Sequence, residues 1–163
     1  MTAAVVHTED ISVLTERLGH STLQEAFELV DTVEEISTLT HNILLQPTTP
    51  PALFIDLEGV NLSREGSIST QQIHIAPQNK SYLVDVHTLG SKAFDTSDKL
   101  DNTLRSVLQS ELVPKVFFDV RNDSDALYSH FHISLAGVID LQVMEFATRN
   151  FRGKFGIRAV KMH

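Results

Sequence analysis

The stretch PPALFIDLEGVNL, Pro50 to Leu62, sets two carboxylates, Asp56 and Glu58, one residue apart inside an apolar run that contains no basic residue. On a β-strand side chains alternate faces, so these two project from one side, with Cα atoms roughly 7 Å apart at ~3.3 Å per residue. Both carboxylates can then reach a point between them. In a site poor in water, two unpaired acids at that separation repel, and one is driven toward protonation unless a cation compensates. A hard divalent ion with oxygen ligands, Mg²⁺ or Mn²⁺, removes the conflict. A plainer arrangement satisfies the same spacing, with both acids at the strand end, exposed to water or paired with Arg64 or Lys80.

A third acid, Asp123, follows the apolar run KVFF (Lys115 to Phe118) at the point where a strand passes into a helix. That is where a neighbouring element brings a carboxylate to the edge of a sheet. Asn122, Asp123 and Asp125 also suit a helix N-terminus through capping and the helix dipole, so a structural role fits equally. Other chemistries find less support. With no cysteine there is neither a thiolate ligand nor a thiol nucleophile. The eight histidines, HFH at His130–His132 among them, form no HxxxH or H-E-x-x-H pattern, which argues against zinc. No phosphate-binding glycine loop or Ser/Thr nucleophile motif is present.

These acids need a scaffold, and the pattern predicts one. AFELV (Ala26–Val30) reads as a short buried strand, and TVEE matches a capping box with Thr32 as N-cap, opening a helix from Val33 to about Leu45. Val33, Ile36, Leu39, Ile43 and Leu44 are its expected sheet-facing side. After the prolines Pro47, Pro50 and Pro51 come three strands, Ala52–Glu58, Ser67–Ala76 and Ser81–Val86, whose short connections predict an antiparallel meander. Leu100, Leu104, Val107 and Leu108 predict a helix over Ser97–Ser110, followed by the KVFF strand and a helix through DVRNDSDALYSHF. Val138 and Ile139 add a last strand before a helix from Asp140, its cap, to about Asn150. Strands first and then alternating helix and strand give an α/β fold, a mixed sheet flanked by helices. Gln71, Gln72 and His74 make the second meander strand polar, bordering either a substrate groove or an exposed sheet face.

The chain has 163 residues, 42% of them hydrophobic, enough for one domain with a real core. We divide it into an arm over 1–22, with a short helix at Ser12–Leu18, and a domain over 23–163. A formal charge of -8 argues against nonspecific polyanion binding unless metal ions or a local basic patch assist. One such patch exists. RNFRGKFGIRAVK, Arg149 to Lys161, holds five of the 13 basic residues with Phe151 and Phe155 among them. Basic residues interleaved with aromatics can follow a nucleic-acid backbone and stack bases, which singles out Arg149, Arg152 and Lys154; a solvated chain end fits the same composition. The N-terminus lacks the features of a secretory signal and no run approaches the roughly 20 apolar residues that span a bilayer. The expectation is an intracellular protein, nuclear or cytoplasmic, without a membrane partner.

Taken together, FIDLEGVNLSREGSIS, YLVDVHTLG, KVFFDVRNDSDALYSHF and VIDLQVMEFATR resemble, in order, blocks of the DEDD superfamily of 3′ to 5′ exonucleases, in the RNase D and Werner-type branch with its small fungal members. The resemblance runs from about Phe27 to Arg149. It implies a ribonuclease-H-like fold and two Mg²⁺ or Mn²⁺ ions acting on the 3′ end of RNA or single-stranded DNA. By that resemblance Asp56 bridges the metals, Glu58 binds one and helps orient water, and Asp123 holds metal-bound water, with Asp119 and Asp125 as alternatives in the second motif. The family also places a Tyr or His four residues before an Asp on a late helix. This sequence has no Asp after Asp140 and its last acid is Glu145, so the domain is expected to be C-terminally incomplete or catalytically silent, serving as a binding or protein-interaction module.

Overall fold

The capping box in TVEE closes as expected. Thr32 Oγ1 accepts from the Glu35 N–H (3.3 Å) and the Glu35 carboxylate accepts from the Thr32 N–H (3.1 Å), opening helix α1 over Val33–Leu44. Ile36, Leu39 and Ile43 recur at helical spacing and are buried. Leu44, expected beside them, is exposed because it lies outside the buried stripe. The structure, a computed structural model, describes residues 27–155. The arm over 1–22 and its short helix lie outside the described residues.

Six strands form one sheet: β1 (Phe27–Val30), β2 (Leu53–Glu58), β3 (Thr70–Ile75), β4 (Lys80–Asp85), β5 (Lys115–Phe117) and β6 (Val138–Asp140), in the order β1-β4-β3-β2-β5-β6. The meander β2-β3-β4 is antiparallel, as its short connections require. β1 joins β4, β5 joins β2 and β6 joins β5 in parallel. Both predicted ingredients, meander and parallel strands, are therefore present.

The two faces of this sheet are unlike. Leu53, Ile55 and Leu57 of β2, Ile73 and Ile75 of β3, and Val84 of β4 share a face buried under helices. The covering side chains are Ile36 and Leu39 of α1, Phe94 of α3 (Lys92–Asp95), Leu104 and Val107 of α4 (Leu104–Leu108), and Ala126 and Leu127 of α5 (Arg121–Phe131). α2 (Val86–Leu89) lies between β4 and α3, and α6 (Leu141–Phe155) follows β6. Among the described residues the other face stays open, which corrects the reading of β1 as buried. Phe27 and Leu29 project onto the open side and only Val30 is buried.

The predicted helix over Ser97–Ser110 shrinks to α4. Asp98 competes with a helical backbone, its Oδ1 accepting from the N–H groups of Leu100 (2.8 Å) and Asn102 (2.9 Å). Asp101 then takes a φ of 60°, the chain forms a bridge between Ser97 and Thr103, and Leu100 is left 69% exposed. Helix begins only where Thr103 caps it, accepting from Ser106 N–H at 3.0 Å.

Candidate active site at the open sheet edge

Alternation along β2 does what the spacing required. Leu53, Ile55 and Leu57 fill the core, so Phe54, Asp56 and Glu58 emerge together on the open face. Asp56 lies opposite Gln72 and Glu58 opposite Thr70 on β3. No described cation pairs with either acid. The two proposed partners are engaged elsewhere: Arg64 with Asp125 and Lys80 with Glu28. Just beyond Glu58, the backbone at Gly59 runs so close to Ser67 that an added Cβ would lie 1.8 Å from its carbonyl oxygen. Only glycine lets the chain leave the strand here.

Asp123 arrives from α5, whose first turn follows the C-terminal end of β5, the strand beside β2. It sits on the core side of the helix with Ala126 and Leu127 and is 4% exposed. Burial, and then the charges of Asp56, Asp119 and Glu58, push its carboxyl up to about 7. The two alternatives are differently placed. Asp125 accepts a two-pronged bond from Arg64 (3.1 and 2.7 Å), and Asp119 one from Arg121 (2.6 and 2.8 Å). Hydrogen bonding by those guanidiniums holds both carboxyls below the usual range. Asp123 alone of the three has no cationic partner among the described residues.

Arg64 also donates its backbone N–H to Asp125 (2.9 Å), and His130 Nε2 lies 2.9 Å from the Ser63 carbonyl. The loop after Glu58 is thereby clasped to α5, linking the strand of the first two acids to the helix of the third. Arg64→Ala is expected to speed amide exchange at Arg64 and Gly66 while leaving the melting temperature almost unchanged, because exposed ion pairs contribute little to global stability. Hydrogen-exchange NMR with calorimetry checks this; equal protection in the variant would refute it.

An open groove of about 690 Å³ runs from Asp56 across the sheet, lined by Phe27, Phe54, Gln72, His74 and Phe118. His74 holds Ser81 through Nδ1 at 3.0 Å and meets Phe54 edge-on. Of the polar trio on β3, Gln72 and His74 face this groove, whereas Gln71 is fully buried on the helix-covered side. Arg149 is exposed on α6 and bonds Glu145 at 2.5 Å. Arg152 and Lys154 belong to the same helix, and their side chains lie outside the described residues.

The hard oxygen donors and their uncompensated charge suit a divalent cation in chemistry. In spacing they fall short: among the described residues no three His, Cys, Asp or Glu side chains gather closely enough to hold a metal ion.

A meander extended by parallel strands, with acids at the strand ends, is the ribonuclease-H-like exonuclease fold, and comparison agrees. A profile for 3′-5′ exonucleases matches residues 21–156, and the chain belongs to that family. The piRNA biogenesis protein EXD1 of Mus musculus is 34% identical over 93 residues, 57% of this chain and 15% of that protein. EXD1 of Xenopus laevis is 38% identical over 85 residues, 52% of this chain and 17% of that protein. The chain thus spans a small fraction of the curated relatives it matches. Among solved structures, Trypanosoma brucei RNase D in complex with RNA U12 superposes with a TM-score of 0.60 at 26% identity, over 74% of this chain and 39% of that one. The EXD2 exonuclease domain soaked in Mg shares the fold, with a TM-score of 0.59 at 24% identity over 81% of this chain and 64% of that one. No helix among the described residues is long and apolar enough to cross a membrane.

Proposed function

We propose that this domain removes nucleotides from the 3′ end of a single-stranded nucleic acid, with Asp56, Glu58 and Asp123 forming the reacting site. The observation that carries the reading is electrostatic. Asp56 and Glu58 share one open face without a described cationic partner, and Asp123 is pushed to about 7 by burial and by those same acids. Such a set is relieved by a divalent cation, Mg²⁺ or Mn²⁺, which when bound supplies positive charge to the attacking and leaving oxygens. Asp56 and Glu58 would hold it from the strand; the three acids do not gather closely enough to close one three-ligand site, so Asp123 would act on it through its charge. Phe54, Phe118 and His74 offer apolar and aromatic surface beside the acids, and the clasp between the Arg64 loop and α5 keeps strand and helix in register. RNA is the favoured polymer, since the curated relatives are piRNA biogenesis proteins and the RNase D neighbour was solved with RNA.

One observation favours a second reading, a catalytically silent module that binds nucleic acid or protein: no three potential ligands cluster among the described residues. A 5′-labelled oligoribonucleotide incubated with Mn²⁺ separates the two. The enzyme gives a ladder shortening from the 3′ end, abolished by chelator and reduced at least about a hundredfold in Asp56→Ala. Binding without shortening refutes the enzyme and supports the module. Single-stranded DNA in parallel decides the polymer.

A further inference from the structure

We propose that Asp140 is a positioning residue for Asp123: its carboxylate straps the turn between β5 and α5 to the head of α6, fixing where the first turn of α5 begins. As a cap for α6 one bond suffices, and Oδ1 makes it, accepting from Gln142 N–H at 2.9 Å. Two more bonds go to a segment twenty residues away. Oδ1 also accepts from Asp119 N–H (3.1 Å) and Oδ2 from Val120 N–H (3.3 Å).

Both bonds meet a need of that segment. Asp119 holds a φ of 58°, a left-handed conformation that a residue with a Cβ keeps only when its surroundings hold it there. Val120, at the N-cap position of α5, provides no side-chain cap, so the helix is short of acceptors for its first N–H groups. Asp140 supplies an acceptor from β6 and places a negative charge near the positive end of the helix. Three residues beyond Val120 stands Asp123, buried, its carboxylate reaching the field of Asp56 and Glu58. A shift of the first turn moves that carboxylate directly, and displacements of an ångström matter to reacting groups. The charged groups around the strap are Asp119 and Arg121, which pair with each other.

The strap rests on backbone geometry; its importance to chemistry rests on the function proposed above. Two variants test it. Asp140→Ser keeps an oxygen able to cap α6 but is too short to reach both Asp119 and Val120. Asp140→Asn keeps the shape and replaces one acceptor oxygen with a donor. Hydrogen-exchange NMR is expected to show lost protection at Asp119, Val120 and Ser124 in the Ser variant with Gln142 still protected, and selective loss at Val120 in the Asn variant. In the Mn²⁺-supported shortening assay the Ser variant is expected to lose roughly tenfold or more in rate, and the Asn variant less, because the first turn of α5 is displaced. Unchanged protection across Asp119–Ser124, or protection lost only at α6, makes Asp140 a helix cap and overturns the proposal. A Ser variant that loses this protection yet shortens RNA at the wild-type rate does the same. If Asp140→Ser does not fold, protection at Val120 in Asp140→Asn decides. Absence of shortening in the wild type refutes the proposed function, while the exchange data still judge the strap.

Discussion

Lys115→Ala is expected to destabilise the folded chain by about 4 kcal/mol, lowering Tm by roughly 8–16 °C for a protein of this size. Lys115 is fully buried on β5, and its Nζ donates to three carbonyl oxygens, those of Val107 (2.8 Å), Ser110 (2.8 Å) and Val113 (2.7 Å). Val107 belongs to the end of α4, where helical carbonyls have no partner within the helix. The ammonium gathers one of them with two from the following loop. Burial pulls the amine down to about 8, yet three acceptors call for three N–H groups, which only the protonated form possesses. At neutral pH the ammonium therefore persists. Removing it takes the donor from the part-buried carbonyls of Ser110 and Val113, leaves that of Val107 with only the longer bond from the Ser110 N–H (3.3 Å), and opens a cavity beneath β5. Lys115→Met restores most of the volume but none of the bonds, so its expected cost is about half that of the Ala variant. Denaturant titration of both variants checks the ordering. A Met variant as stable as the wild type would mean that the carbonyls find other partners.

The second large effect has the opposite sign. Asp123→Asn is expected to stabilise the metal-free chain at pH 8 by about 1–3 kcal/mol while impairing the proposed chemistry. Burial, helped by Asp56, Asp119 and Glu58, raises the Asp123 carboxyl from its ordinary 3.8 to about 7. Below pH 4 the acid is protonated in folded and unfolded chains alike, and no penalty arises. Between pH 4 and 7 the unfolded chain gives up its proton first, so stability falls as pH rises; above 7 the full penalty is in place. A displacement of that size corresponds to at most about 4 kcal/mol, and structural relaxation reduces it. The Asn variant never ionises. Its advantage in chelator should be close to nil at pH 4, grow through pH 5–7 and level off near pH 8, read by urea denaturation. Millimolar Mn²⁺ should then narrow the gap by stabilising the wild type more than the variant, which keeps Asp56 and Glu58 but lacks the third charge. A difference between the two proteins that does not vary with pH would show that Asp123 carries no buried charge. Stability bought by neutralising an acid is the usual mark of a group placed for chemistry rather than for folding.

Some of this was legible along the chain. Asp56 and Glu58 lie two apart on a strand whose intervening residues are apolar, and period-two alternation leaves such acids a common face whatever the rest of the fold does. The capping box of α1 and the short meander connections are likewise local, and they formed where expected. Asp140 was legible only as a cap, since the bond to Gln142 is local while those to Asp119 and Val120 cross from one element to another. The failed helix over Ser97–Ser110 had the right apolar spacing, but the side chain of Asp98 offered the backbone a competing set of bonds.

The sequence by itself determined the alternating acids, the mixed order of strands and helices and the family resemblance, because each rests on neighbours in the chain or on ordered blocks of residues. Only the tertiary structure decided which face of the sheet the helices cover, and with it the exposure of Phe27 and the burial of Gln71 and Lys115. It also decided where the described cations go: Arg64 to Asp125, Lys80 to Glu28 and Arg121 to Asp119, leaving Asp56, Glu58 and Asp123 without a cationic partner among the described residues. Pairing of charges depends on distances between residues far apart in the chain, and those distances exist only once the sheet has closed its register.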